Sequence, residues 1–278
     1  MNAQTTFDNL VSKAAKAGRP TPANIVLDSD LATFLLERNA HNRPLRMGRT
    51  LRYRADMQEG HWHENGESLK VTVGGELADG QHRCAAVMNT DLRVRMLAVF
   101  GVTSDAAETI DQGAPRNAGD YLQMRGEPNA SVAARIVRLR LAYEANNREA
   151  LRDVSKPTNA QVLAYFGEHR AEVLASADKV VALREFAQPL VSPAVLGFAH
   201  NVLHEISPDE ANEYIEKVAK GEDIAEGNPA FAVRTRLLKM GKSGAARKAE
   251  PLFVGWNAHH SGRELKTVRV TGRLPDLS

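Results

Sequence analysis

Apolar residues change spacing several times along this chain, and the changes predict its elements. Leu31, Phe34 and Leu35 follow Asp28-Ser29 at helical spacing, which predicts a capped amphipathic helix ending near Asn39. Pro44 then stands where a helix would begin, and residues 45–59 carry Met47, Leu51, Ala55 and Met57 on an imperfect apolar stripe closed by Gly60. Alternation replaces this spacing in Leu69-Lys70-Val71-Thr72-Val73, the mark of a half-buried strand. Gly74-Gly75 predicts a tight turn into a short returning strand at Leu77-Ala78. Asp79-Gly80 breaks that strand. Ala85, Ala86 and Met88 predict a helix over 81–89, and Val94, Met96, Ala98 and Phe100 alternate through a further strand over 93–102. Helices and strands mixed over so short a span predict a compact α+β unit.

Beyond Asn117 the spacing is helical almost throughout. Val132, Ile136, Leu139 and Tyr143 recur at i, i+4, i+7 and i+11, and Val162, Leu163 and Phe166 open another stripe. Ser207-Pro208-Asp209-Glu210 reads as a capping box with proline at the first helical position; Ala211, Tyr214, Ile215, Val218 and Ala219 form the inward face, and Gly221 closes it. A short helix around 252–259 and an extended stretch over 265–270 end the pattern. The expected organisation is a flexible, at most weakly helical lead-in over 1–24, an α+β domain over 25–116, a helical bundle over 117–240 and a basic C-terminal segment over 241–278. The fold class is therefore α+β, a small mixed-sheet domain followed by a mainly α-helical bundle.

Composition narrows the classes of function. With 278 residues, 43% hydrophobic and 5% aromatic, the chain is long enough for one large or two ordinary domains and is poor in the rings that stack on carbohydrate. Cys84 is the one cysteine, which excludes a disulfide framework and a four-thiolate zinc site and makes the cytoplasm the expected compartment. No run approaches the roughly 20 apolar residues of a membrane span, so no membrane association is expected, and residues 1–20 carry no apolar signal core.

Net charge is only +2, but its distribution is uneven. Arg43, Arg46, Arg49, Arg52 and Arg54 stand together without an acid between them. From Arg234 to the end, ten Lys and Arg face only Glu250, Glu264 and Asp276, while residues 153–226 carry thirteen acids against six bases. Local field, and not net charge, sets attraction to phosphate, so two basic blocks on a near-neutral chain suit a polyanion, although such runs also occur as plain solvated helix faces. The three-residue spacing of 43, 46, 49 and 52 draws a drifting basic stripe along one helix face.

The local pattern richest in chemistry is Asp79-Gly80-Gln81-His82-Arg83. A strand ends, a glycine permits close backbone approach, and a helix starts with its amides and positive dipole end at the turn, an arrangement suited to phosphate. Arg83 offers a planar fork to a phosphate, His82 a hydrogen bond or a proton shuttle, and Asp79 a metal ligand or a general base. The residue types equally allow Asp79 as a plain N-cap, Arg83 on a solvated face and His82 bonded to backbone. Asp111-Gln112-Gly113-Ala114-Pro115-Arg116-Asn117 is a second candidate, with Arg116 at a helix start, Asn117 as N-cap and Asp120 three residues on.

This motif, after an extended segment and an arginine-rich helix ending in Gly60-His61-Trp62, resembles the ParB/sulfiredoxin superfamily, and more closely the ParB-like proteins of phages and mobile elements. Asn42-Arg43-Pro44, the Tyr53, Met57, Gly60 and Trp62 spacing, Ile110-Asp111-Gln112-Gly113 with Arg116 and Asp120, and Trp256-Asn257-Ala258 extend the likeness over most of the chain. Gln81 stands where sulfiredoxins carry their catalytic cysteine, which argues against that chemistry. Gly80-Gln81-His82-Arg83 replaces the Gly-Glu-Arg-Arg box of chromosome-partitioning members. The resemblance implies a ParB-like domain over 25–116 that binds a nucleoside triphosphate, ATP or CTP, with Mg²⁺. Gly80, Gln81, His82, Arg83 and Arg116 would hold the nucleotide, and Asp79, His82 and Arg83 would carry catalysis, with Asp79 nearest the metal. It further implies DNA as associated macromolecule through Arg43, Arg46, Arg49 and Arg52, and leaves a homo-oligomer open. Superfamily members differ in chemistry, so three functions stand: an NTP hydrolase or phosphotransferase, a nucleotide-switched DNA-binding or adaptor protein without catalysis, and a metal-dependent nuclease. Gly241-Lys242-Ser243 lacks the second glycine of a P-loop, and His61 with His63 lacks a third ligand.

Overall fold

The computed structural model describes residues 3–39, 44–103, 116–145, 157–188, 190–241 and 243–277, and the chain divides between Pro115 and Arg116 into two units. In the first unit the helices are α1 (Ala3–Ala17), α2 (Ser29–Leu36), α3 (Met47–Gln58) and α4 (Gln81–Val87). The strands are β1 (Thr21–Leu27), β2 (Ser68–Thr72), β3 (Leu77–Asp79) and β4 (Val94–Val102). The strands form one sheet in the order β1-β4-β2-β3, with β4 antiparallel to β1 and parallel to β2, and β2 antiparallel to β3. This small mixed sheet with its many helices is an α+β fold. Val94, Met96, Ala98 and Phe100 alternate into a core shared with Leu27, Leu69 and Leu77 from the sheet and Phe7, Leu35 and Val87 from the helices. Each such fully buried side chain contributes about 1.5–3 kcal/mol.

Residues 3–24 are not a loose lead-in but hold α1 and the start of β1. Phe7, Leu10, Val11 and Ala14 recur at i, i+3, i+4 and i+7, and that stripe docks α1 on the sheet, where Phe7 meets Phe34 and Phe100 edge-on at 5.0 and 5.6 Å. The strand β1 alternates, with Ala23, Ile25 and Leu27 toward the core and Pro22, Asn24 and Val26 exposed, but the apolar Val26 on the outer face and Pro22 obscure the pattern in the sequence. Pro22 is tolerated since β1 is an edge strand.

In the second unit the helices are α5 (Ala118–Met124), α6 (Ala130–Glu144), α7 (Asn159–Glu168), α8 (Arg170–Ala182), α9 (Arg184–Ala187), α10 (Pro193–His204), α11 (Pro208–Lys220), α12 (Pro229–Met240) and α13 (Ala245–His260). Asn117 and Asp120 form the expected capping box on α5, whereas Ser207 makes no side-chain cap bond on α11. Every residue of α10 from Ala194 to Leu203 is buried, so this helix is the axis of the bundle. Gly197 lets α6 approach it: a Cβ there would lie 2.5 Å from Ile136 Cδ1. The last helix is longer than its sequence pattern suggested, because Ala249, Leu252, Phe253 and Trp256 are core residues. Beyond Gly262 the chain is irregular, with bends at 266 and 272–273, and forms no strand among the described residues, where a strand was expected.

α10 also carries two of the unit's buried polar residues, His200 and Asn201. His200 Nδ1 lies 3.0 Å from Ser176 Oγ on α8, and His200 Nε2 lies 3.2 Å from Asn212 Oδ1 on α11. Asn201 accepts from Arg140 Nη1, and Arg140 also donates to Glu144 and Glu205. Among the described residues no helix is long and apolar enough to cross a membrane.

Candidate phosphate-binding corner

The turn from β3 into α4 is built as the sequence suggested, with one difference that decides its chemistry. Gly80 has φ +106°, a conformation that L side chains rarely adopt, and a Cβ at this position would lie 2.1 Å from Leu69 Cδ2. Backbone strain and overpacking combine, so Gly80→Ala is expected to destabilise the first unit by roughly 3 kcal/mol, measured as a lower urea midpoint with unchanged slope.

The three side chains after Gly80 are buried and do not face solvent: Gln81, His82 and Arg83 are 4, 5 and 5% exposed. Each reaches a different element. Gln81 Oε1 accepts from Asn39 Nδ2 at 2.9 Å, just past the end of α2. His82 Nε2 accepts from the Arg46 backbone N–H at 3.0 Å, at the start of α3, which places the proton of a neutral imidazole on Nδ1. Arg83 Nη2 donates to the Ser68 carbonyl at 2.8 Å and lies 3.3 Å from Asp79 Oδ2. The register that pairs Lys70 with Asp79 would bring residue 81 opposite Ser68, but residue 81 is already helical. Arg83 thus supplies the donor that the shortened edge strand does not. At the other end of α4, Arg54 donates to the carbonyls of Ala85, Ala86 and Met88, a cation on the exposed carbonyl end of the helix.

Asp79 is neither a plain N-cap nor an open metal ligand. Its Oδ1 accepts from Gly80 N at 2.7 Å, and its Oδ2 is shared by Lys70 Nζ at 3.1 Å and Arg83 Nη2 at 3.3 Å. Both oxygens of Asp79 are thus engaged within the corner, and a metal ion at Asp79 would have to share Oδ2 with Lys70 and Arg83. His82, with Nε2 held by an amide, is equally a fixed acceptor in this arrangement. Cys84 is wholly buried, and burial pushes its thiol up to about 12, which removes it as a nucleophile.

One group in the corner lacks a partner. Arg83 Nη1 is buried and makes no hydrogen bond, although an unmatched buried donor costs about 1–3 kcal/mol. Lys70, which periodicity placed only as a strand residue, joins it in this corner because β2 and β3 are paired; that pairing was the signal that could have found it.

The basic stripe is shorter than its spacing implied. α3 starts at Met47, so Arg46 is its extended N-cap residue and only Arg49, Arg52 and Arg54 stand on the helix. Arg54 is committed to α4, while Arg46 and Arg52 are exposed and Arg49 is half-buried, none of the three in an ion pair among the described residues. Arg43 lies outside the described residues, as do Asn42 and Ile110–Gly113. Arg116 is exposed and belongs to the second unit, where its carbonyl accepts from Asn159 Nδ2 at 2.9 Å. Compared with protein-family models, curated proteins and solved structures, the chain matches none.

Proposed function

We propose that the first unit binds a nucleoside triphosphate through its phosphates at the β3–α4 corner, and that the protein works as a nucleotide-responsive DNA-binding protein. The observation that carries this reading is the buried, unpartnered Arg83 Nη1 beside Lys70: two fixed cations and an unused pair of N–H donors match a phosphate oxygen. The resemblance of Asp79-Gly80-Gln81-His82-Arg83 to ParB-like proteins supports the same ligand, with Mg²⁺ arriving on the phosphates themselves. A switch fits the corner better than a catalyst, because Asp79 and His82 are both engaged as acceptors. Gln81 and His82 would pass any shift of the first turn of α4 to Asn39 and Arg46, and so to the exposed arginines of α3.

Titration of the full chain with each of the four nucleoside triphosphates and Mg²⁺, followed by calorimetry, tests this. Saturable binding is expected, competed by inorganic triphosphate and weakened at least about tenfold in Arg83→Met, whose folding is checked by its melting curve. No binding of any nucleotide, or unchanged binding in Arg83→Met, overturns the reading. Phosphate release in the same mixtures separates a hydrolase from a switch.

A further inference from the structure

The chain after α13 has no regular secondary structure, yet it is firmly attached. Arg263 N donates to Ala258 O at 2.8 Å and Leu265 N to Gly227 O at 2.9 Å, and Val268 and Leu274 are buried in the bundle core. Its main anchor is Glu250 on α13, itself 2% exposed. The Glu250 carboxylate accepts from the Thr271 backbone N–H at 2.5 Å, from Thr271 Oγ1 at 3.0 Å and from Gly272 N at 2.9 Å. A buried carboxylate is tolerable when its oxygens are filled by such charge-assisted bonds, and here the donors are the strap's own amides.

That anchoring changes the charge the strap presents. Glu250 is one of only three acids in the basic C-terminal block, and it faces inward. Arg263, Lys266, Arg269 and Arg273 all face outward and none makes an ion pair among the described residues. Some other cations of the same unit are matched, Arg140 with Glu144 and Glu205, Arg170 with Glu127, and Lys179 and Lys220 with Glu216. Arg247, exposed and one turn ahead of Glu250 on α13, adds a charge on the side of the helix that holds Thr271. Opposing them in the strap are the exposed Glu264 and Asp276.

We infer that this strap is a docking surface for the backbone of duplex DNA. Unpaired cations fixed side by side repel one another, and a polyanion removes that repulsion. The cations recur every three or four residues along the strap, and the closely spaced phosphates of a regularly charged duplex can meet such a row. Three of the four are arginines, whose planar forks suit phosphate oxygens. Residues 261–277 contain no aromatic side chain on which unstacked bases could rest, which disfavours single strands, and the strap's aliphatic residues face the core, which disfavours insertion into a membrane. The surface lies wholly in the second unit and does not depend on the nucleotide reading.

The test is binding of the full-length protein, without nucleotide, to a fluorescein-labelled duplex across a salt series. Three proteins are compared: wild type, Arg269→Gln with Arg273→Gln, and Arg46→Gln with Arg52→Gln. Loss of the two strap charges is expected to weaken binding at least about tenfold at low salt and to lower the slope of log K against log salt by about 2. All four substituted side chains are exposed, so melting curves should coincide and a binding change reads the surface alone. Wild-type affinity and slope in the strap variant overturn the inference whatever the other variant does. So does a wild-type protein that ignores the duplex at low salt, or that prefers single-stranded DNA or anionic vesicles to it. If the duplex binds through the strap while no nucleotide binds, the inference stands and the proposed function fails.

Discussion

Replacing Arg83 with alanine is expected to destabilise the first unit by about 3 kcal/mol, although this residue is also the centre of the proposed ligand site. The side chain is almost fully enclosed. Its removal strips the Ser68 carbonyl of its donor, leaves a cavity along the vanished stem, and leaves Asp79 with Lys70 as its remaining side-chain partner. The ion pair itself is the smaller part, since Asp79 is 30% exposed and keeps Lys70 at 3.1 Å. Hydrogen exchange followed by mass spectrometry reads the effect locally. Peptides covering 68–87 should exchange about a hundredfold faster in Arg83→Ala, while peptides from the second unit keep their protection. Arg83→Met restores most of the buried volume and should recover about half of the loss, leaving the unmatched carbonyl. Arg83→Lys should fall between them, because one ammonium cannot reach both Ser68 O and Asp79 as the guanidinium fork does. Equal stability of Arg83→Ala and wild type would mean that the guanidinium is free to swing outward. For the same reason, a loss of nucleotide binding in Arg83→Ala alone says little about function; the volume-preserving variant is the informative one.

The elements of the first unit were legible wherever local pattern and tertiary role agree. Val94 to Phe100 alternate because one face of β4 is core and the other is not, and Asp28 caps α2 through a bond to Leu31 N that its own sequence neighbourhood specifies. What escaped was set by distant partners. Phe7 to Ala14 carry a helical stripe whose meaning depends on Phe34 and Phe100 arriving to cover it, and β1 is a strand chiefly because β4 pairs with it. At the corner, sequence identified the turn, the glycine and the chemically capable side chains, but not their directions. Gln81, His82 and Arg83 point to Asn39, the Arg46 amide and Ser68 O, contacts spanning 42, 36 and 15 residues that no local spacing encodes. The C-terminal helix extends back to Ala245, beyond the expected 252–259, and Glu250 within that added length is the buried anchor of the strap, a role set by Thr271 and Gly272.

Acid should weaken the second unit well before its paired carboxylates titrate. His200 is almost fully enclosed, and burial holds its imidazole down at about 4 from an ordinary 6.5, with His204 and Lys179 nearby pushing the same way and the Asn212 bond opposing. The groups facing it across the packed helices are Ser176 and Lys179 on α8, Asn212 on α11 and His204 on its own helix. A neutral ring can donate from Nε2–H to Asn212 Oδ1, with Nδ1 competing with the Glu172 carbonyl for the one hydroxyl proton of Ser176. Between pH 6.5 and about 4 the unfolded chain therefore binds a proton that the folded one refuses. Stability conferred by the neutral ring is complete above about pH 6.5 and is lost as pH falls toward 4, a loss of roughly 3 kcal/mol in all. His259, whose pKa burial also lowers, adds in the same direction. Glu216, held at about 2 by Lys220 and Lys179, acts only below its ordinary 4.5, so its contribution is separated from that of the histidine. Of the two tryptophans, Trp62 lies in the first unit and Trp256 in the core of the second, so a Trp62→Phe background makes fluorescence a reporter of the second unit alone. Urea midpoints measured in that background should fall steadily as pH drops below about 6.5, and His200→Gln should start lower and lose most of the slope. A slope unchanged by His200→Gln would place the proton-sensitive group elsewhere in the bundle and would mean that the ring is charged as readily inside the fold as in water.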